Sequence, residues 1–135
     1  MEKENKDIEE VLDEINAALA DPKGLIAHQM RIGFSISLGV ISLLETYLKN
    51  LNILKSGSKI DHRWLKKSKE NIKGFISKII TCPIEEVKDF DEILSIAYKI
   101  ESNRNKFVYG KKTSDADLRD YINLFFELNK RIEHV

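Results

Sequence analysis

Apolar residues recur along most of this chain at three- and four-residue spacing, the period of a helix with one buried face. From about Asp7 to Leu19, the residues Ile8, Val11, Leu12, Ile15 and Leu19 share one side. Asp21-Pro22-Lys23-Gly24 then predicts a turn, because proline and glycine together interrupt a helix. The longest helix is predicted from roughly Leu25 to Leu51. Its apolar residues Ile32, Ile36, Val40, Leu43, Leu44, Tyr47, Leu48 and Leu51 spread well around the circumference, as in the central helix of a bundle. Gly33, Ser35, Ser37, Gly39 and Ser42 are small enough to admit a close neighbour. Glu45 lies among these apolar residues, one helical step from both Ile41 and Leu48.

The stretch from Ile53 to Ile60 contains Lys-Ser-Gly-Ser-Lys and predicts a loop. Asp61 suits the N-cap of a third helix that begins near His62 and carries Trp64, Leu65, Ser68, Ile72, Phe75, Ile76, Ile79 and Ile80. Its other face is basic, with Arg63, Lys66, Lys67, Lys69 and Lys73, and Thr81-Cys82-Pro83 should end it. A fourth helix starts at Asp89 or Asp91 and ends near Tyr109-Gly110, where Gly110 suits a left-handed C-terminal position. After Lys111-Lys112-Thr113, Ser114 or Asp115 opens a fifth helix with Leu118, Tyr121, Ile122, Phe125, Leu128 and Ile132 inward. Period-two alternation is almost absent. The expectation is an all-α, up-and-down bundle of about five helices, forming a single domain over residues 1–135.

Composition sharpens that picture. The 135 residues are 42% hydrophobic and 33% charged, enough for a real core without staples. The 22 basic and 22 acidic residues cancel, which argues against nucleic-acid binding by a global positive field but leaves room for a local patch. One cysteine, Cys82, cannot form an internal disulfide, and this fits a reducing cytoplasm. The first residues are charged and carry no apolar signal region. The most apolar run, Ile32 to Leu48, is interrupted by Ser35, Ser37, Ser42, Glu45 and Thr46, too polar for a membrane span. A cytoplasmic protein without membrane contact is expected.

His28, His62 and His134 are scattered and Cys82 is alone, so neither a metal site nor a cofactor is indicated, and each histidine reads as a surface or capping residue. The lysines of the third helix read first as a solvated face and second as a track for RNA phosphates. Arg104 breaks the pattern. It continues the apolar line Ile93, Ala97, Ile100 and is followed by Phe107 and Val108. An arginine there must pair, snorkel or face a cleft. One reading is a structural ion pair with Glu101 or Glu45. The other is a phosphate-binding group at a cleft, suited by its permanent charge and planar fork of donors. Asn105 and Tyr109 add polar groups at the same helix end.

This arrangement resembles the HEPN superfamily (higher eukaryotes and prokaryotes nucleotide-binding domains). Its signature is an arginine, commonly followed by asparagine or another polar residue, then roughly four to six residues and a histidine, near the end of a late helix. Arg104-Asn105 matches its start, Lys106-Phe107-Val108 its apolar interior, and the long second helix with Glu45 the central helix. The expected histidine is Tyr109. The resemblance implies an RNA- or nucleotide-binding protein, related to metal-independent ribonucleases of toxin–antitoxin pairs, with Arg104, Tyr109 and Asn105 in catalytic positions. It further implies Arg104, Lys106, Lys111 and Lys112 as RNA contacts, a homodimer with two motifs facing a shared cleft, and a nucleotidyltransferase-type antitoxin partner. Tyrosine ordinarily titrates at about 10 and is a poor base at neutral pH, so weak or absent ribonuclease activity is expected. The alternative is a non-catalytic protein–protein interaction module.

Overall fold

The computed structural model describes residues 2–133, apart from the side chains of 2–6, 62 and 69. Five α-helices carry the chain: α1 (Glu2–Ala20), α2 (Gln29–Asn50), α3 (Lys69–Ser77), α4 (Phe90–Val108) and α5 (Asp115–Glu133). Short 3-10 turns lie at Leu25–His28, His62–Lys66 and Ile84–Glu86. No β-strand occurs among the described residues, so the all-α bundle expected from periodicity is the fold.

α2 is the axis, packed against α1, α4 and α5. Ile32, Ile36, Val40, Leu43, Leu44, Tyr47 and Leu48 are all buried along it. Two glycines set how closely the neighbours approach. A Cβ on Gly33 would stand 2.8 Å from Cγ2 of Val108 on α4, and one on Gly39 would stand 2.7 Å from the Phe125 ring on α5. Stretch 25–50 is long and apolar enough to cross a membrane by length and composition. Here its apolar side forms the centre of the bundle.

Several local expectations are corrected. Ala18, not Leu19, closes the inner face of α1, and Leu19 is exposed. The third helix is broken. Asp61 does accept from the Arg63 N–H at 2.9 Å, but it caps only the 3-10 turn. Lys67 is extended, and Ser68 starts α3 anew by accepting from Asn71 N–H at 3.3 Å. A serine ahead of Lys-Glu-Asn is itself an N-cap signal, and its local hydrogen bond outcompetes a continuous helix. α3 stops at Ser77, where Lys78 and Ile79 turn and bring Ile80 beside the preceding loop. Lys55 N–H donates to Ile79 O and Thr81 N–H to Ile53 O, each at 2.8 Å, around an isolated antiparallel bridge between Leu54 and Ile80.

Asp89 precedes α4 with φ 60°, a left-handed residue whose side chain makes no cap hydrogen bond. Gly110 is not left-handed. Glycine is required there for a different reason: the Tyr109 and Gly110 N–H groups both close onto the Asn105 carbonyl, and in that tight turn a Cβ would fall 2.3 Å from the Lys106 carbonyl oxygen. α5 matches its expectation, with Ser114 Oγ accepting from Asp117 N–H at 3.1 Å and all six inward residues buried.

Candidate nucleic-acid interface

The last turn of α4 and the open side of α2 meet at Arg104. Ile93, Ala97 and Ile100 before it, and Phe107 and Val108 after it, are buried, while Arg104 is half-buried at the margin of the core. Its guanidinium lies over two rings, 5.4 Å from the centroid of Phe34 on α2 and 5.9 Å from that of Tyr109. It donates to Asn105 Oδ1 at 3.3 Å. Arrangements of this kind hold an arginine by cation–π attraction while leaving N–H donors directed outward.

The structure thus brings Arg104, Asn105 and Tyr109 together and adds Phe34. Other expected participants lie elsewhere. Glu45 does not serve Arg104: its Oε2 accepts from Ile60 N–H at 2.6 Å and pins the incoming loop. Lys106 turns the opposite way, to Asp117 on α5 at 3.3 Å, so it is not part of the Arg104 surface. Lys111 is exposed, and its carbonyl is used structurally. Lys112 does approach the Phe34 side. Its ammonium donates to Ile26 O at 3.0 Å, and it borders, with Arg31, Phe34 and His28, an open depression of about 570 Å³.

Glu101, one turn before Arg104, accepts from Ser37 Oγ of α2 at 3.4 Å. Beneath them lies Tyr121 of α5, buried against Phe107 with the two rings tilted by 33° and their centroids 4.4 Å apart. Its hydroxyl has no hydrogen-bond partner among the described residues. Burial pushes its pKa well up, Glu101 adding to the rise and Arg104 opposing it. The two side chains therefore set the electrostatics under the site from opposite directions.

His28 is half-buried, its Nε2 2.6 Å from Asp21 Oδ2. Asp21 also accepts from Lys23 N–H at 2.8 Å, and these two hydrogen bonds, the backbone one first, hold its carboxyl below the usual carboxylate range. His28 therefore staples the α1–α2 turn. The side chain of His62 and all of His134 lie outside the described residues. No group of three or more histidine, cysteine or acidic side chains among the described residues could hold a metal ion.

Gln29 is the residue that sequence reasoning missed. Buried at the start of α2, it donates from Nε2 to Phe107 O and Lys111 O, each at 3.2 Å, and accepts at Oε1 from Thr113 N–H at 2.9 Å and Thr113 Oγ1 at 3.2 Å. One amide thereby fixes the whole segment from the end of α4 to the start of α5, and with it Tyr109 and Lys112. Phe34 was missed too, although its signal was available. Met30, Phe34 and Leu38 recur every fourth residue on the side of α2 away from Ile32, Ile36 and Val40, and they remain 59%, 42% and 69% exposed.

The fold defines an all-α helical bundle whose most distinctive polar group is a ring-flanked arginine. No family model, no curated protein and no solved structure matches the chain.

Proposed function

We propose that this protein binds RNA or nucleotide phosphate through Arg104, with Asn105, Lys112 and the exposed rings of Phe34 and Tyr109, in the manner of a HEPN-like domain acting in the cytoplasm. The observation that carries the reading is the half-buried guanidinium held over two exposed rings. A guanidinium matches phosphate bidentately, and neighbouring aromatic faces accept unpaired bases. Cleavage is weak or absent in this reading, because Tyr109 occupies the place of the motif histidine and a phenol transfers protons poorly at neutral pH.

Fluorescence anisotropy with a labelled single-stranded RNA tests it. Arg104→Ala should weaken binding about tenfold or more, and Phe34→Ala should cost about 1–3 kcal/mol of stacking. Tyr109→His keeps an aromatic face, so it should leave binding largely intact and raise cleavage in the presence of chelator. RNA affinity unchanged in Arg104→Ala would overturn the site.

A second reading, a non-catalytic interaction module, is favoured by the exposed line Met30, Phe34 and Leu38, since contiguous apolar surface marks contact with another chain. A homodimer centred on Met30 and Phe34, with the two Arg104 side chains facing one cleft, joins the two readings. A nucleotidyltransferase-type antitoxin is the further partner we propose. Its co-purification with the protein when the two are expressed together is the check.

A further inference from the structure

A groove of about 790 Å³ runs between α1 and α2, on the opposite flank of α2 from Arg104. One bank is Asp7, Glu10, Val11 and Glu14; the other is Ser35, Leu38, Gly39 and Ser42. Each bank is a series i, i+3, i+4, i+7, so two antiparallel helices present two matched turns to the same trough. Val11 against Gly39, and Glu14 against Arg31, fix that antiparallel register. Val11, Ile41 and Ile60 give it an apolar floor, Leu38 stands exposed at its lip, and Ser35, Gly39 and Ser42 add no bulk. Loop residues Lys59, Ile60 and Asp61 close one end. A trough of this shape accepts a third helix by ridge-into-groove packing.

Charge selects the kind of helix. Asp7, Glu10 and Glu14 line one bank, against Lys59 and the Arg31 side chain 3.6 Å from Glu14, while Asp61 at the loop end is already paired with Arg63 at 2.6 Å. We propose that this groove receives a basic amphipathic helix from a separate protein. Its apolar stripe meets Val11, Leu38, Ile41 and Ile60, and its lysines or arginines run along the α1 carboxylates. The chain's own lysine-rich α3 is not that helix, because Ile72 and Ile76 are committed to the core and Lys73 is paired with Asp91 at 2.5 Å.

The test titrates the full chain with two labelled model helices, identical except that one carries lysine and the other glutamate beside a leucine stripe. The lysine helix should bind at micromolar concentration, and the glutamate helix at least about tenfold more weakly. A doubly substituted protein, Glu10→Lys with Glu14→Lys, should reverse that order. Leu38→Asp, on the exposed lip, should weaken the lysine helix about tenfold, whereas Arg104→Ala should leave it unchanged. This last control keeps the groove distinct from the RNA surface. Equal binding of the two helices, an order that survives charge reversal, or indifference to Leu38→Asp would overturn the proposal. So would efficient Ser35→Cys cross-linking between two copies, which would place a second copy in the groove.

Discussion

Gln29 holds the segment after α4 with all of its amide hydrogen-bonding directions, and its four partners come from residues more than seventy positions away. Gln29→Leu keeps the volume but orphans Phe107 O, Lys111 O and Thr113 N–H. Orphaned buried groups cost about 1–3 kcal/mol each, less where water can reach them. A loss of about 2–3 kcal/mol is expected, read as a lower urea midpoint. Tyr47 supplies a second prediction. Its buried hydroxyl donates to the Lys88 carbonyl, and burial, with Asp89 adding, pushes its pKa to about 12. The folded state thus favours the protonated phenol more than the unfolded chain does. That contribution is complete below about pH 10, the unfolded value, and is lost as pH rises toward 12. Urea unfolding should show stability falling through this window, with a shallower fall in Tyr47→Phe.

At the scale of elements, two glycines should respond to alanine with opposite signs. Gly39→Ala puts a Cβ 2.7 Å from Phe125 Cε1 and 3.2 Å from Val11 Cγ2, so two helices must yield, at a cost of about 1–3 kcal/mol. Gly74 lies in α3 with nothing within 4 Å, so Gly74→Ala should stabilise by up to about 1 kcal/mol through helix propensity. Paired thermal melts check both, and a common sign would contradict the packing described. The helices themselves were legible because each buries one stripe, and in α5 all six inward residues follow from spacing alone. Local competition was not legible. Ser68 read as helix interior until its hydroxyl proved to cap α3, and Gly110 read as a left-handed residue until the Lys106 carbonyl proved to occupy the space a side chain would need. The candidate site was half legible for a related reason. A charge on an apolar line exposes Arg104 to view, but spacing cannot say that α5 takes Lys106, that Ile60 takes Glu45, or that Phe34 stays partly exposed with the Arg104 guanidinium over its ring.

At the scale of the molecule, the open side of α2 is where the proposed dimer is to be tested. Met30 and Phe34 stand exposed beside Arg104 and Tyr109, with no described element packed across them, although the residues one helical face away are fully buried. A two-fold contact centred on Phe34 would cover both residues twice and place two Arg104 guanidiniums along one seam. Their mutual repulsion is the cost, and a polyanion lying between them would remove it. The expected outcome is a dimer at micromolar concentration by light scattering, strengthened by single-stranded RNA. Phe34→Glu should give a folded monomer, because the substituted residue is exposed and only the contact is lost. Arg104→Ala should remain dimeric without RNA and lose the RNA-dependent gain. A natural protein that stays monomeric with and without RNA would remove the shared cleft, leaving Arg104 to act, if it binds RNA, within a single chain.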